Sequence, residues 1–481
     1  MLALFMTAVE VTIVATAMPQ IVGALGGFSR YTWVFSGYLL TQTATILVFG
    51  KLADVYGRRP VLIAGIAVFL VGSALCGFAW SMPSLIAFRL LQGLGAGSIQ
   101  PIAITIAGDL FAPEDRPRVQ GWLGSVWGFA AIVGPLAGGF IVETLSWHWI
   151  FWINLPFGVL TIVGLAVFLR EDVARRPHRI DYAGVGIFGL AIAALLVAVT
   201  EGGVVWPWIS VPTLVLVGGF VAATALWLAR ERRSPEPMVD LDLWRTRLMA
   251  SINLSALFAG AVIIGVTTFV PIYVQGVLDQ SAIVAGFALT AMSVGWPLAS
   301  MASGALLRAL EARNTMRLGG VLLSCSAVAL AALPASAGPV FVGACSFAIG
   351  IGLGLLNTTS VVLIQGSVPW SQRASATASN VFARMLGGTL GAAALGAVLN
   401  AALGRRFAQS GVGNAGLDAI RDMLEEGAAA APASLPGGAI VDALGYAVTQ
   451  VYVALAMLAA FSMMAAWLIP RRPAFAEAAE E

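Results

Sequence analysis

Long apolar runs recur along the whole chain, and the short segments between them carry nearly all of the charged residues. Each run has about 20 residues, which is enough to cross the roughly 30 Å hydrocarbon core of a bilayer as an α-helix. The alternation of shorter segments that a membrane β-barrel requires is absent from the sequence. The pattern predicts fourteen membrane-spanning helices, at about 2–22, 31–50, 60–80, 84–110, 119–142, 150–169, 182–200, 209–229, 248–274, 281–307, 317–334, 339–364, 374–402 and 443–469.

The composition agrees with an all-α integral membrane protein and excludes several other classes. Of 481 residues, 59% are hydrophobic and only 10% are charged, against roughly 25% charged residues in soluble domains. The three cysteines lie inside apolar runs and the two histidines in different loops, so neither a disulfide framework nor a metal site is expected. Neither a phosphate-binding loop nor a nucleophile–base set is present, which argues against an enzyme or an ATP-driven pump. The first run begins at Met1 without a basic leader or cleavage site, and predicts a retained helix.

The placement of the positive charges predicts the orientation in the membrane. With a cytoplasmic N-terminus, twenty of the 26 lysines and arginines fall in inner loops, four fall in outer loops, and Arg89 and Arg384 lie inside helices. Such a bias is typical of the cytoplasmic side. We therefore expect a multi-pass protein of the cell (inner) membrane with both termini in the cytoplasm. One sizeable outer loop is expected at 403–442, with a short surface helix at 417–426.

Three glycine-rich segments recur in the second half of the chain and predict an internal repeat. They also favour two six-helix bundles with two helices inserted between them. Arginine replaces the aspartate in the second copy of the first segment. The paired segments are Gly50–Arg59 with Gly304–Arg313, Gly93–Gly97 with Gly350–Gly354, and Val133–Gly139 with Leu386–Gly391. The predicted division is an N-terminal bundle at 1–172, a linker with two spans at 173–240, and a C-terminal bundle at 241–481.

Several of these segments resemble signatures of the major facilitator superfamily. The charged loop Gly50–Pro60 resembles the superfamily's signature between helices 2 and 3, and Leu85–Gly97 resembles its helix-4 motif. Gly134–Gly139 is similar to the helix-5 antiporter motif. Val9–Val14, together with Trp147–Gly158, is similar to the 14-span drug:proton antiporter branch. The resemblance implies the major facilitator fold and proton-coupled export of drugs.

The charged loop is expected to act as a gate at the inner membrane surface. The family pattern places Asp54 against the start of the helix at Arg373, where an ion pair would hold the inner side shut. Asp109 ends the fourth span and is a candidate acceptor for Arg58 or Arg59. The candidate gating residues are Gly50, Asp54, Gly57, Arg58, Arg59, Asp109 and Arg373.

Glu10 and Arg89 are candidate proton-coupling residues because both lie within membrane spans. Ionisable groups at that depth are costly and usually mark ion or proton paths. Desolvation favours the neutral carboxyl and a nearby arginine favours the charged form, so Glu10 can load and release a proton. The branch more often has aspartate here. The alternative is a permanent salt bridge that never titrates.

Gly134, Pro135, Gly138 and Gly139 predict a pliable, closely packed strip on the fifth span. Small residues let helices approach, and proline removes a backbone hydrogen bond and bends its helix. We expect the two halves to rock past each other along this strip, with plain packing as the alternative. The resemblance associates the motif with export.

Aromatic side chains and sparse amides are the candidates for a substrate cavity. Such a lining suits amphipathic, partly cationic ligands. For Arg384 three roles stay open: an ion pair with Glu10, contact with an anionic substrate, or hydrogen bonds to carbonyl groups. The candidate cavity residues are Trp33, Tyr38, Gln42, Trp127, Asn253, Gln275, Trp296, Asn380 and Arg384.

Together the sequence predicts a proton-driven multidrug exporter that works by alternating access, as a monomer in the lipid bilayer. No cofactor is expected besides the coupling proton, and no nucleic-acid partner. One alternative is an exporter of a single lipid, siderophore, sugar or metabolite. Another is a non-transporting sensor or binding protein of the same fold.

Overall fold

Our computed structural model describes residues 1–27, 30, 32–112, 115–171, 181–203, 205–234, 237, 241–333, 337–410 and 437–470. All regular elements of these residues are helices, and no strand occurs among them. A short 3-10 turn, Trp370–Gln372, precedes α14. The helices are α1 (Leu2–Leu25), α2 (Thr32–Tyr56), α3 (Arg58–Gly77), α4 (Met82–Leu110), α5 (Arg116–Thr144), α6 (Trp149–Trp152), α7 (Asn154–Phe168), α8 (Tyr182–Glu201), α9 (Val211–Glu231), α10 (Leu241–Arg245), α11 (Arg247–Gly276), α12 (Ala282–Ala331), α13 (Pro339–Ser367), α14 (Arg373–Ser410) and α15 (Gly437–Trp467).

The long helix α12 consists of two membrane spans. Its 50 residues would extend about 75 Å, more than twice the hydrocarbon thickness of a bilayer. Glu311, inside it, has φ 63° and ψ 159°, so the helix breaks there. Thirteen helices of the described residues are long and apolar enough to cross a membrane, with α12 counted once. Counting α12 as two gives the predicted fourteen spans and confirms the all-α membrane fold.

Two predicted loops differ from the structure. The expected loop at 308–316 is helical except at Glu311, because one residue of positive φ is enough to turn the chain. The expected outer loop at 403–442 is shorter than predicted, since α14 continues to Ser410 and α15 begins at Gly437. The surface helix predicted at 417–426 lies outside the described residues.

Local sequence explains where several helices begin. Ser81 and Ser84 form a reciprocal capping box at the start of α4, and Pro83 stands in its first turn. Asp181 caps α8 by accepting a hydrogen bond from the Gly184 amide at 3.0 Å. These side chains satisfy amide groups that have no partner within the helix.

The chain forms two compact units. The first contains Met1–Ala250 and Thr358–Phe382, and the second contains Ser251–Asn357 and Ala383–Ile469. In the first unit the inserted helices α8 and α9 pack together, where the Phe188 ring lies 5.1 Å from that of Trp227. The same Phe188 ring lies 5.7 Å from that of Phe382. The predicted three-part division of the chain stays a prediction.

The turn at Glu311 corresponds in position to the turn of the charged loop. Gly57 stands seven residues after Gly50 and has φ 97°. Glu311 stands seven residues after Gly304 and has φ 63°. Each copy of the segment therefore reverses the chain at the same place, which agrees with the predicted repeat.

Candidate functional site

Glu10 and Arg89 form an ion pair in the interior of the first unit. Arg89 Nη1 lies 2.5 Å from Glu10 Oε1, and the two side chains are 1% and 0% exposed. The pair joins α1 to α4 and lies close to an apolar cluster that includes Ile13 and Phe151. A buried charge is tolerated only when it is paired and hydrogen-bonded. The predicted pairing of these two residues is present, and their role in proton coupling stays a prediction.

Three neutral side chains complete the hydrogen bonds around this pair. Asn154 Nδ2 donates to Glu10 Oε2 at 2.5 Å and to Ser73 Oγ at 3.0 Å. Gln92 Oε1 accepts from Arg89 Nη1 at 2.7 Å, and Gln92 Nε2 donates to Ser73 Oγ at 3.1 Å. We call these five residues the Glu10 cluster. Asn154 occurs in the Trp147–Gly158 motif of the sequence, but its contact with Glu10 was not predicted.

Arg89 is held by groups other than Glu10 as well. Its Nε donates to the Val34 carbonyl at 3.0 Å. Its guanidinium carbon lies 4.2 Å from the centre of the Tyr38 ring, a favourable cation–π distance. Arg89 therefore keeps three partners if Glu10 becomes neutral, namely Val34, Tyr38 and Gln92.

A second cluster of charges forms where α2, α3, α4 and α14 meet within the first unit. Asp54 accepts from the amides of Ala374 at 3.0 Å and Ser375 at 2.7 Å. These amides belong to the first turn of α14, where unsatisfied N–H groups and the helix dipole favour a negative charge. Asp54 thus contacts the start of α14 as expected, but through backbone amides. The expected ion pair is different, because the acid that pairs with Arg373 is Asp109.

Asp109 links two arginines in this region. Its carboxylate lies 3.2 Å from Arg58 Nε and 3.0 Å from Arg373 Nη1. Arg58 also approaches Asp54 at 3.4 Å and stacks 3.4 Å from the centre of the Trp370 ring. We call Asp54, Arg58, Asp109 and Arg373 the gate cluster. The sequence left Arg58 and Arg59 as alternatives for Asp109, and Arg58 is its partner.

Arg59 was expected among the gating charges, but its guanidinium contacts another group. Arg59 Nη2 donates to the Ala166 carbonyl at 2.5 Å. The Glu171 carboxylate accepts from the backbone amides of Arg58 and Arg59, both at 2.9 Å. Glu171 thereby caps α3, a role that was not predicted because its only sequence signal is an acid just after a span. The contact of Trp370 with Arg58 was not predicted either, because the two residues are far apart in the sequence.

The two glycines of the charged loop have separate physical roles. A Cβ atom on Gly50 would lie 2.4 Å from Ala378 Cβ, so only glycine lets α2 approach α14 here. Gly57 has φ 97°, a conformation that L side chains rarely adopt.

A further contact joins α4 to α13. Gln365 Nε2 donates to the carbonyl of Ile104, five residues before Asp109, at 3.2 Å. This hydrogen bond joins α4 to α13 near the gate cluster.

The glycine strip of α5 packs on a helix of its own unit. A Cβ on Gly134 would lie 1.9 Å from Thr12 Oγ1, and one on Gly138 would lie 3.1 Å from Ile13 Cγ1. The contact partner is therefore α1, one turn from Glu10, rather than the other half as expected. Gly139 has no atom within 4 Å of its Cβ position, so the close packing predicted there is wrong. Pro135 lies inside α5.

The candidate cavity residues differ widely in exposure. Tyr38, Gln42, Asn253 and Asn380 are buried in this conformation. Trp33 and Trp296 are half-buried, and Trp127 and Gln275 are exposed. Arg384 Nη1 donates to Asn357 Oδ1 within the second unit. Glu10 pairs with Arg89 within the first unit. The three roles considered for Arg384, and substrate contact by all nine residues, stay predictions.

The fold and these clusters define a polytopic α-helical membrane protein with charged groups at membrane depth and a charged loop between its second and third spans. The chain belongs to the Major Facilitator Superfamily, whose family model matches residues 1–392. It is a family of transporters.

Named relatives are transporters as well. The chain is 35% identical over 403 residues to the multidrug transporter protein MdtP of Bacillus subtilis, a match that covers 84% of this chain and 74% of the relative. It is also 35% identical over 405 residues to multidrug resistance protein 3 of Bacillus subtilis, covering 83% and 78%. The efflux pump FUS6 of Gibberella moniliformis is 31% identical over 413 residues, covering 82% and 72%.

A solved structure supports the fold. The human organic anion transporter MFSD10 (TETRAN) superposes with a TM-score of 0.64 and covers 97% of both chains. At 13% identity the likeness concerns the fold alone. The predictions of superfamily and all-α fold are therefore confirmed, and the relatives agree with small-molecule substrates.

Proposed function

We propose that this transporter is a proton-coupled antiporter that exports amphipathic small molecules across the cell (inner) membrane, with both termini in the cytoplasm. The relatives named as multidrug transporters and efflux pumps support export. A proton is the proposed coupling ion, and the monomer is the proposed functional unit.

The proposal of proton coupling rests on the burial and hydrogen bonds of the Glu10 carboxylate. Its carboxylate is fully buried, and both oxygens accept hydrogen bonds, from Arg89 and Asn154. When Glu10 takes a proton it loses the ion pair, while Arg89 stays held by the Val34 carbonyl, Gln92 and the Tyr38 ring. Protonation would remove the counter-charge of Arg89 but leave its other contacts in place. This favours a titrating acid over a permanent salt bridge.

The gate cluster supports alternating access. Asp54, Asp109 and Gln365 join α2 and α4 to the segment 358–382 at one end of the first unit. The charge bias of the sequence assigns that end to the cytoplasm. The proposed state is thus closed on the inside, and release of the Asp54 contacts would accompany opening. A built gate of this kind also argues against a non-transporting sensor.

The test of coupling is efflux in everted vesicles with an imposed proton gradient. Glu10→Gln keeps the shape and removes the titrating group, so gradient-driven transport should fall at least 100-fold while binding of a probe survives. Glu10→Asp, the residue more usual in the branch, should keep part of the activity. Glu143→Gln makes the same chemical change at an exposed site and should transport like wild type.

Active transport by Glu10→Gln at the wild-type rate would show that Glu10 is not the proton carrier. An exporter of one specific metabolite would pass the same test. A multidrug exporter and an exporter of one metabolite are distinguished by how many different compounds raise the Tm of the purified protein.

A further inference from the structure

Arg384 belongs to the second unit, and its position along α14 places it near the expected middle of the membrane. It stands eleven residues after the start of α14 at Arg373, and Asn357 stands ten residues before the end of α13 at Ser367. At 1.5 Å per residue both are about 15 Å from the ends of their helices, half the thickness of the hydrocarbon core. The hydrogen bond from Arg384 Nη1 to Asn357 Oδ1 therefore joins the two helices at mid-depth.

No acid of the described residues pairs with this arginine. The ion pairs among them involve other arginines, and the Asn357 oxygen is the one hydrogen-bond acceptor that Arg384 has in that part of the chain. The contrast with Arg89 is direct, since Arg89 pairs with Glu10 at 2.5 Å. An unpaired arginine at this depth is costly, and such residues mark substrate or ion pathways.

The side chain of Arg384 is only half-buried, as is that of Asn357. An exposed guanidinium surface facing hydrocarbon would be too costly at mid-depth. Its open surface must therefore face a space that water or a ligand can enter.

The hydrogen-bonding groups that this pair leaves free are mainly donors. Arginine has five N–H donors and no acceptor, and asparagine has one acceptor oxygen and two N–H donors. Arg384 uses the Asn357 oxygen, so what remains is a positive charge with further N–H groups from both residues. A ligand group that fits this set must be rich in acceptors and negatively charged, such as a carboxylate or sulfonate.

We propose that Arg384 and Asn357 form the specificity site for the anionic group of amphipathic substrates. The inference rests on the proposed export function and adds anionic compounds to the partly cationic ligands that the aromatic residues favour. Asn357 orients the guanidinium, and Arg384 binds the anion.

Two dyes with the same ring skeleton test the proposal: fluorescein, an anion, and tetramethylrhodamine methyl ester, a cation. Equilibrium binding is measured on the purified full chain by fluorescence polarisation, without a proton gradient. The wild-type protein should bind fluorescein, and Arg384→Gln should weaken that binding at least tenfold while binding of the cationic dye falls less than twofold. Arg384→Lys keeps the charge and should retain part of the affinity.

Asn357→Asp gives a second, independent variant because it places an acid beside Arg384 and neutralises the site. It should lose fluorescein binding as well and leave the cationic dye bound. Arg405→Gln removes a positive charge from an exposed position of the same helix and should change neither dye.

Three results overturn the proposal: no fluorescein binding by the wild-type protein, unchanged binding in Arg384→Gln, or an equal loss of both dyes in that variant. Because the binding assay needs no gradient, failure of proton coupling through Glu10 would leave its result intact. A failed binding preference would likewise leave the vesicle test of Glu10 unaffected.

Discussion

Replacing Asp54 by asparagine should open the gate cluster toward the cytoplasm. Asp54 accepts two backbone N–H bonds, from Ala374 at 3.0 Å and Ser375 at 2.7 Å. Asparagine has nearly the same shape but one acceptor oxygen, so one of these amides would face an NH₂ donor. It also removes the negative charge from the N-terminus of α14 and from its buried neighbour Arg58.

The size of the effect follows from these lost interactions. A hydrogen bond to a charged group contributes about 1.5–3 kcal/mol, and a charge at a helix N-terminus contributes about 0.3–1 kcal/mol. The closed state should therefore lose about 2–4 kcal/mol relative to the open state. Since 1.4 kcal/mol is a factor of ten, the open population should rise by about 30-fold or more.

The assay is the alkylation rate of one cysteine introduced at Thr105, in a chain whose native cysteines are replaced by alanine. Thr105 is fully buried on α4, one turn before Asp109 and next to Ile104, which bonds Gln365. A maleimide added from the cytoplasmic side reaches it only when the gate is open, so the rate follows the open population. Asp54→Asn should raise this rate by about 30-fold or more.

The control is Lys51→Gln, which removes a half-buried charge one turn away on the same helix. It should alkylate at the wild-type rate. If Asp54→Asn changes the rate less than threefold, or no more than Lys51→Gln does, Asp54 does not hold the gate.

Two further sets of variants test the turns and the surface charges. Glu311 has φ 63° and ψ 159°, a region that only glycine adopts without strain, so Glu311→Gly should raise Tm. Gly57 has φ 97°, so Gly57→Ala should lower the free energy of unfolding by about 1–3 kcal/mol. Thermal melting of the purified protein checks both; an unchanged Tm in each would remove strain as the explanation. A hydrogen bond from Arg230 to Asp181 at 2.7 Å lowers the pKa of the Asp181 carboxyl. Its stabilisation is therefore present above about pH 4, the unfolded value, and is lost as pH falls through the lowered folded pKa. Asp181→Asn should lower Tm at neutral pH, and that difference should vanish in acid; a difference that persists in strong acid would contradict the ion-pair origin.

The number of spans and the gate segment could be predicted from the sequence because the bilayer imposes strong local rules. Helix length is set by hydrocarbon thickness, so apolar runs identify spans without any knowledge of their packing. The position of Gly57 between two spans likewise indicates a turn, and a positive φ occurs there. Hydropathy predicted too long a loop around Glu311, because a helix break at a single residue hardly changes the hydropathy of the segment.

The partners of individual side chains could not be predicted from the sequence in this way, because packing sets them. Asp54 was expected at the start of α14, but its bonds to backbone amides carry no side-chain signature in the sequence. Glu171 caps α3 from more than a hundred residues away. The glycines at 134 and 138 indicated a close approach, yet only the fold shows that the approaching helix is α1.

The sequence by itself determined that this chain is a membrane protein of fourteen spans with charges inside the spans at Glu10, Arg89 and Arg384, since these follow from local composition. Tertiary structure decided which of these charges are neutralised. Arg89 meets Glu10 because α1 and α4 pack together, whereas the partner of Arg384 among the described residues is an amide oxygen on α13. The physical reason is that the free energy of a buried charge depends on the groups within a few ångströms, and those groups come from distant parts of the chain.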